Sequence, residues 1–303
     1  MTNLHNFTRG SALNASTLAR YLTPLSDDQI RARAPSVFAE RPHESRSDRY
    51  AYIPTADILA GMRKAGFIPV SVQQSRSRVP GKSDFTKHMI KFSHVDVTNV
   101  RVGDSIPQVS LINSHDGTSQ WELMDGLYRF VCSNGLMVCD ATYSAVKVPH
   151  KGADVRDRVI EGSFTVINRA KEVGDRVEEW RGITLDRGEQ LALAHAATLL
   201  RWDGQNADGS PIKPPVAADQ MLTPHRHEDR GADLWTTFNV IQENAIKGGQ
   251  AYTLPRAAGA RRGRRMHVRE VTGIDQNTSL NRALWTLADA LKRHKTGDVA
   301  IAA

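Results

Sequence analysis

What most constrains this 303-residue chain is a change of hydrophobic period at Gly66, reversed near residue 153. Just before Gly66, Ile58, Leu59 and Met62 recur at helical spacing and make one stripe. From about 67 to 146 the apolar residues alternate instead, in the short runs FIPVSVQQSR, KHMIKFSHV, PQVSLINS, QWEL and LYRFVCSNGLMV. These runs are rich in Val, Ile, Phe, Trp and Tyr, and turn pairs such as Pro80-Gly81, Asp116-Gly117 and Asn134-Gly135 separate them. Gaps this short suit antiparallel neighbours, because parallel strands need long crossovers. Helices, then a meander of strands, then helices is the order of an α+β fold. The expectation is an antiparallel sheet over about 67–146, flanked by a short N-terminal helix and several C-terminal helices.

The helices carry their own start and stop signals. Ser26-Asp27-Asp28-Gln29 fits a capping box, with Leu25 and Ile30 as a hydrophobic staple, and Pro35 ends that helix. Thr55 is positioned to cap the next one, and Gly66 closes it. Past 153, Val155, Val159, Ile160, Phe164 and Ile167 form one apolar face, and Asp186 with Glu189 caps a helix ending near Leu200. Leu234, Trp235, Phe238, Ile241, Ala245 and Ile246 mark a helix at 232–247, and Leu280, Leu284, Trp285 and Leu287 another at about 278–295. The organisation expected is a disordered tail at 1–20, an α+β core domain at 21–201 and a Gly/Pro/Asp-rich linker or long loop at 202–224. A helical C-terminal region at 225–303, carrying an Arg-rich loop, packs on that core.

Composition excludes several classes of protein. A 40% hydrophobic fraction is too high for wholesale disorder, and no apolar run approaches the roughly 20 residues that span a bilayer. The polar N-terminus lacks the apolar core of a secretory signal, so a cytoplasmic protein is expected. Cys132 and Cys139 are too few for a disulfide framework and sit in an apolar run, where cysteine behaves as a small buried hydrophobe.

The net charge of +7 is unevenly spread. Arg256, Arg261, Arg262, Arg264, Arg265 and Arg269 crowd one acid-free stretch interleaved with Gly and Ala, which must be solvated or meet anions. Guanidinium forks match phosphate oxygens, and glycine lets a backbone approach closely. A second basic run holds Lys82, Lys87 and Lys91; in a strand, Lys87, Met89 and Lys91 share one face and His88, Ile90 and Phe92 the other. Together these residues are the candidate phosphate contacts, weighed against ordinary solvated loops and sheet faces.

Other motifs read more plainly. Ser114-His115-Asp116 is not a triad, because adjacent side chains diverge; Asn113 to Gly117 is good turn chemistry. His225-Arg226-His227-Glu228 lacks the spaced partners of a metal site. Tyr128, Phe130 and Trp235 sit at core periods rather than as a stacking platform. Phosphate-loop and dinucleotide glycine motifs are absent, and no cofactor, metal or catalytic residue is implied.

Several strings are familiar: HESRSDRYAYIPT at 43–55, SHDGTSQWELMDGLYRFVCSNGLMV, VPHKG at 148–152, VIEGSFTVI at 159–167 and TGIDQNTSLNRALWTLADAL at 272–291. They resemble the phage/plasmid-like protein family, domain of unknown function 932, over roughly 35–295. The resemblance implies an association with prophages and conjugative plasmids and supplies no catalytic residues. The element order is also similar to that of phage single-strand annealing proteins. The expected function is non-enzymatic binding of single-stranded DNA for annealing or protection, in a chain that can also oligomerise. The alternatives are a protein-binding inhibitor of a host defence or repair enzyme, and a metal-dependent nuclease built on His115, Asp116 and His150.

Overall fold

The computed structural model describes residues 23–46, 50, 52–95, 105–129, 134–137, 146–150, 154–254 and 263–298. The expected tail at 1–20, both cysteines and Phe130 lie outside them. Helix α1 (Asp27–Arg33) starts on the expected capping box: Gln29 N–H donates to Ser26 Oγ, and Ser26 N–H donates to Gln29 Oε1. Helix α2 (Thr55–Lys64) follows a 3-10 turn at Pro35–Phe38. Its N-cap is Pro54 rather than Thr55, whose hydroxyl is engaged elsewhere.

Strands β1 (Phe67–Gln74), β2 (His88–His94), β3 (Ser105–Asn113), β4 (Trp121–Arg129) and β5 (Asn134–Met137) form an antiparallel sheet in sequence order, and β6 (Val146–Val148) pairs with the start of β4. Two local expectations change. The runs QWEL and LYRF belong to one continuous strand, β4, because Met124 to Gly126 keep pairing with β3. Asn134-Gly135 is not a turn: these residues pair with Arg129 and Tyr128 in the ladder.

Period-two alternation gives the sheet two faces. One carries Phe67, Ile90, Phe92, Val109, Leu111, Trp121 and Leu123 against Ile30, Val37, Ile58, Leu59 and Met62 and against α3 (Val155–Asn168). Gly162 lets α3 lie close, since a Cβ there would meet Leu123 Cδ1 at 2.7 Å. The other face sets Met89, Ile112 and Met124 against Ile274 alone in a small cluster.

Helices α4 (Ala170–Arg181), α5 (Arg187–Arg201), α6 (Leu234–Lys247) and α7 (Ile274–Thr296) build the second core. Trp180 and Trp285 lie 4.3 Å apart between ring centroids, with Trp235 and Phe238 against them. Each such ring contributes about 1.5–3 kcal/mol by burial. The 203–224 stretch sends Val216 and Met221 into this core, and Asn244 Nδ2 donates to the carbonyls of Met221 and Thr223, each at 3.0 Å. Among the described residues no helix is long and apolar enough to cross a membrane.

Candidate functional site

Within the arginine stretch, expected as a loop, Arg264 to His267 form one strand of an antiparallel hairpin. β7 (Ala251–Leu254) pairs with β8 (Arg264–His267), so that Leu254 opposes Arg264 and Thr253 opposes Arg265. At its root, Gly249 N–H donates to Val268 O and Val268 N–H to Gln250 O, each at 2.9 Å. Tyr252 and Thr253 favour the pleated conformation, which is why strand pairing takes residues read as loop. Arg264 and Arg265 are exposed and adjacent, so they leave opposite faces of the ribbon; Arg269 is exposed just beyond it. Among the described residues, none of these three has an acid within ion-pair distance. Arg256, Arg261 and Arg262 lie outside the described residues.

The lysines stand in different surroundings. Lys82 Nζ is 3.2 Å from Asp116 Oδ2, and Lys87 Nζ is 2.6 Å from Asp275 Oδ1 at the start of α7. Their charges are therefore offset within the chain. Lys91 has no such ion pair among the described residues. Burial, reinforced by the nearby Lys247 ammonium, pulls its pKa down to about 8. Lys247 ends α6 at the root of the hairpin and pairs with Glu270 at 3.1 Å. Lys247, at the foot of the hairpin, is thus close enough for its charge to act on Lys91.

On the opposite face of β2 lies a buried polar network in which each hydrogen can be assigned by valence. Gln74 Nε2 donates to Ser83 O at 2.7 Å, which turns its Oε1 toward Ser36, whose hydroxyl donates to it at 2.9 Å. The single Ser36 proton is then spent, so Ser36 Oγ accepts from His88 Nδ1 at 2.9 Å, and Thr86 O lies 3.3 Å from the same nitrogen. His88 Nε2 is consequently bare and accepts the Thr55 hydroxyl at 2.9 Å. Thr55 Oγ1 in turn accepts from Asn113 Nδ2 at 3.1 Å and from His115 Nε2 at 3.0 Å. His150 Nε2 donates to Asn113 Oδ1 at 2.9 Å. The chain of donors ends with a lone pair on His115 Nδ1, a buried atom with no hydrogen-bond partner among the described residues.

Both imidazoles that flank Thr55 are neutral at pH 7, as this assignment requires. Burial drives His88 down to about 3 and His115 to about 4, each helped by a neighbouring imidazole. His150 is stacked on Tyr50 at 4.8 Å, and Tyr50 donates its hydroxyl to Ser114 O at 3.0 Å. The expected turn is present: Asp116 Oδ1 accepts from Thr118 N–H and Oγ1, and Gly117 takes a φ of +76° beneath the Arg46 guanidinium. Burial alone would raise the Asp116 pKa, but the Thr118 bonds and Lys82 outweigh it and hold it low.

Near this turn, Arg41, His43, Glu44, Pro80, Gly81 and Phe85 line a surface cavity of about 200 Å³. Two of its walls are tied to the His115 main chain: His43 N–H donates to His115 O, and His115 N–H to Phe85 O, each at 3.0 Å. Among the described residues no group of three or more His, Cys, Asp and Glu is placed to hold a metal ion. His225 instead bonds Asn244, and Arg226 pairs with Asp229 and Glu243. Trp235 is in the helical core, as its period implied.

The residues of this arrangement that sequence reasoning did not bring together are Ser36, Thr55 and Asn113 in the network and Lys247 near Lys91. Short polar side chains at the start of a helix or the end of a strand read as caps and turns, and only the fold brings them together. Lys247 reads as a helix C-terminal cation.

The chain matches the family model described as "Domain of unknown function (DUF932)" over residues 42–285. Two relatives from Escherichia coli (strain K12) are "UPF0380 protein YafZ" and "UPF0380 protein YfjQ". They are 41% and 40% identical to it over 281 residues, covering 93% of this chain and 96% of each relative. No solved structure matches the chain.

Proposed function

The chain belongs to the DUF932 family, and from that premise we propose that it binds the backbone of nucleic acid, single-stranded DNA of a mobile genetic element, through the β7–β8 hairpin. The observation that carries this reading is the contrast in charge pairing. Arg264 and Arg265 on the ribbon and Arg269 just beyond it are exposed cations with no acid within ion-pair distance among the described residues, whereas Lys82 and Lys87 are paired with Asp116 and Asp275. The phosphate contacts expected from sequence therefore narrow to the hairpin arginines and Lys91. The mobile-element setting comes from the family likeness, and the preference for single strands from the way such elements transfer and recombine.

Arginine–phosphate contacts release counterions, so affinity falls with salt by about 0.7 log unit per log unit of salt for each phosphate engaged on a single strand. Fluorescence anisotropy of a labelled oligonucleotide across a salt series tests this. Replacing Arg264, Arg265 and Arg269 with alanine lowers affinity and flattens the slope by about 2, while Lys87→Ala leaves the slope unchanged. Equal affinity and slope in the triple variant would sink the proposal. A second reading, general-base chemistry, is favoured by the lone pair on His115 Nδ1. Oligonucleotide cleavage abolished by His115→Ala supports it, and an intact oligonucleotide after prolonged incubation rejects it.

A further inference from the structure

The second face of the sheet holds a cation with no carboxylate and a hydroxyl with no hydrogen-bond partner among the described residues. Ser71, Lys91, Ser110 and Met124 stand opposite one another in register across β1 to β4, so their side chains share one row. Ser110 is 1% exposed, and its Oγ has no hydrogen-bond partner among the described residues. Lys91, its direct cross-strand neighbour, is partly buried, and no carboxylate pairs with its ammonium among the described residues. In the next row Gln108 Nε2 donates to Ser93 Oγ at 3.4 Å, so that pair is occupied with itself. Lys247 approaches Lys91 from the end of α6 and adds positive charge.

A lysine withdrawn from water is ordinarily paired, and a sealed hydroxyl is ordinarily bonded. A sealed hydroxyl without a partner and, beside it, a partly buried ammonium without a carboxylate, both able to donate, describe a site that lacks an acceptor carrying negative charge. A carboxylate from the chain would serve, but the nearby acids are committed: Glu270 to Lys247 and Asp275 to Lys87. An apolar ligand would leave both donors unsatisfied. A tetrahedral oxyanion offers several acceptors at once, enough for the ammonium and the hydroxyl together.

We propose that Lys91 and Ser110 form a binding site for a phosphate group. The site rests on the Lys91–Ser110 row and not on the hairpin arginines, so it stands if the nucleic-acid reading fails. The group has two possible sources, free phosphate or a backbone phosphate of a strand held by the hairpin, and the experiment separates them.

The test uses the full chain with inorganic phosphate as probe, followed by thermal melting and by NMR of ¹³C-dimethylated lysines. In the wild type, phosphate raises the melting temperature in a saturable way and moves the Lys91 resonance and its titration toward higher pH. Lys91→Met weakens phosphate binding by at least about tenfold, and Ser110→Ala weakens it severalfold, as expected for losing hydrogen bonds to a charged group. The Arg264→Ala/Arg265→Ala/Arg269→Ala variant keeps its phosphate response, which distinguishes this site from the hairpin. Competition assigns the source: an oligonucleotide that displaces phosphate from the wild type but not from the hairpin variant makes it a strand phosphate, and no displacement makes it free phosphate. No saturable phosphate response in the wild type overturns the proposal. So does a Lys91→Met protein, folded by its melting curve, that responds as the wild type does.

Discussion

Along strand β2 the same backbone presents two polar groups to opposite sides, and they are treated in opposite ways. His88, facing the N-terminal helices, has both ring nitrogens bonded, to Ser36 and to Thr55. Lys91, three residues on and facing the C-terminal region, has a sealed but unbonded Ser110 hydroxyl beside it. The first face carries a bonded network, ending at the bare His115 Nδ1, that fastens the Pro35–Phe38 turn and helix α2 to the sheet. The second leaves the Ser110 hydroxyl without a partner among the described residues. Buried polar groups that are satisfied hold a fold together, whereas each one left unsatisfied calls for a separate explanation, a ligand being one.

The largest effect expected from this comparison is on the first face. Thr55→Val keeps the shape of the side chain but removes the oxygen that three partners share. It leaves His88 Nε2, His115 Nε2 and Asn113 Nδ2 buried without a partner. Each such group costs about 1–3 kcal/mol, so a loss of about 3–5 kcal/mol is expected in urea unfolding. A loss below about 1 kcal/mol would mean that the network contributes little and that the contrast between the faces is empty.

The next effect is pH dependence. His88 and His115 titrate in the folded protein at about 3 and about 4, below the ordinary 6.5. The unfolded chain therefore takes up these protons first as pH falls. Stability present above pH 6.5 is lost on acidification toward 4, with a slope of up to about 2.7 kcal/mol per pH unit when both titrate. Asp125 acts in the other direction. Burial raises its pKa to about 7 despite the Arg169 charge, so its contribution is full at low pH and fades as pH rises through about 7. Urea midpoints of Asp125→Asn at pH 7, 6 and 5 isolate the histidines. A flat profile in that background would show that the network tolerates protonation.

How much of this was legible in the sequence differs between the two faces. The alternation of β2 is readable directly and sets His88 and Lys91 on opposite sides. The bonded network is not. Thr55 looks like a helix cap, and its partners lie 33, 58 and 60 residues away in sequence. Ser114-His115-Asp116 reads as a turn and is one; its histidine takes part through a ring that reaches Thr55 and not through its sequence neighbours. The lysine strip was half legible. Charge and spacing placed it on one face, but nothing local announced that Asp275, 188 residues on, would neutralise Lys87. The arginine stretch kept its exposure at Arg264, Arg265 and Arg269, while its conformation changed from loop to ribbon because Tyr252 and Thr253 supply a partner strand.

The smallest effect sharpens the comparison most. Ser110→Ala also removes one buried hydroxyl, as Thr55→Val does, yet no partner is stranded by the change because Ser110 Oγ has none among the described residues. Its desolvation cost vanishes with it, so stability in phosphate-free buffer stays within about 0.5 kcal/mol of the wild type or rises slightly. Added phosphate then stabilises the wild type more than the variant, and the two melting curves separate only when the anion is present. That conditional difference is what an unoccupied hydroxyl predicts and a structural one does not. A clear loss of stability for Ser110→Ala without phosphate would place Ser110 with Thr55, as part of the scaffold, and dissolve the distinction between the faces.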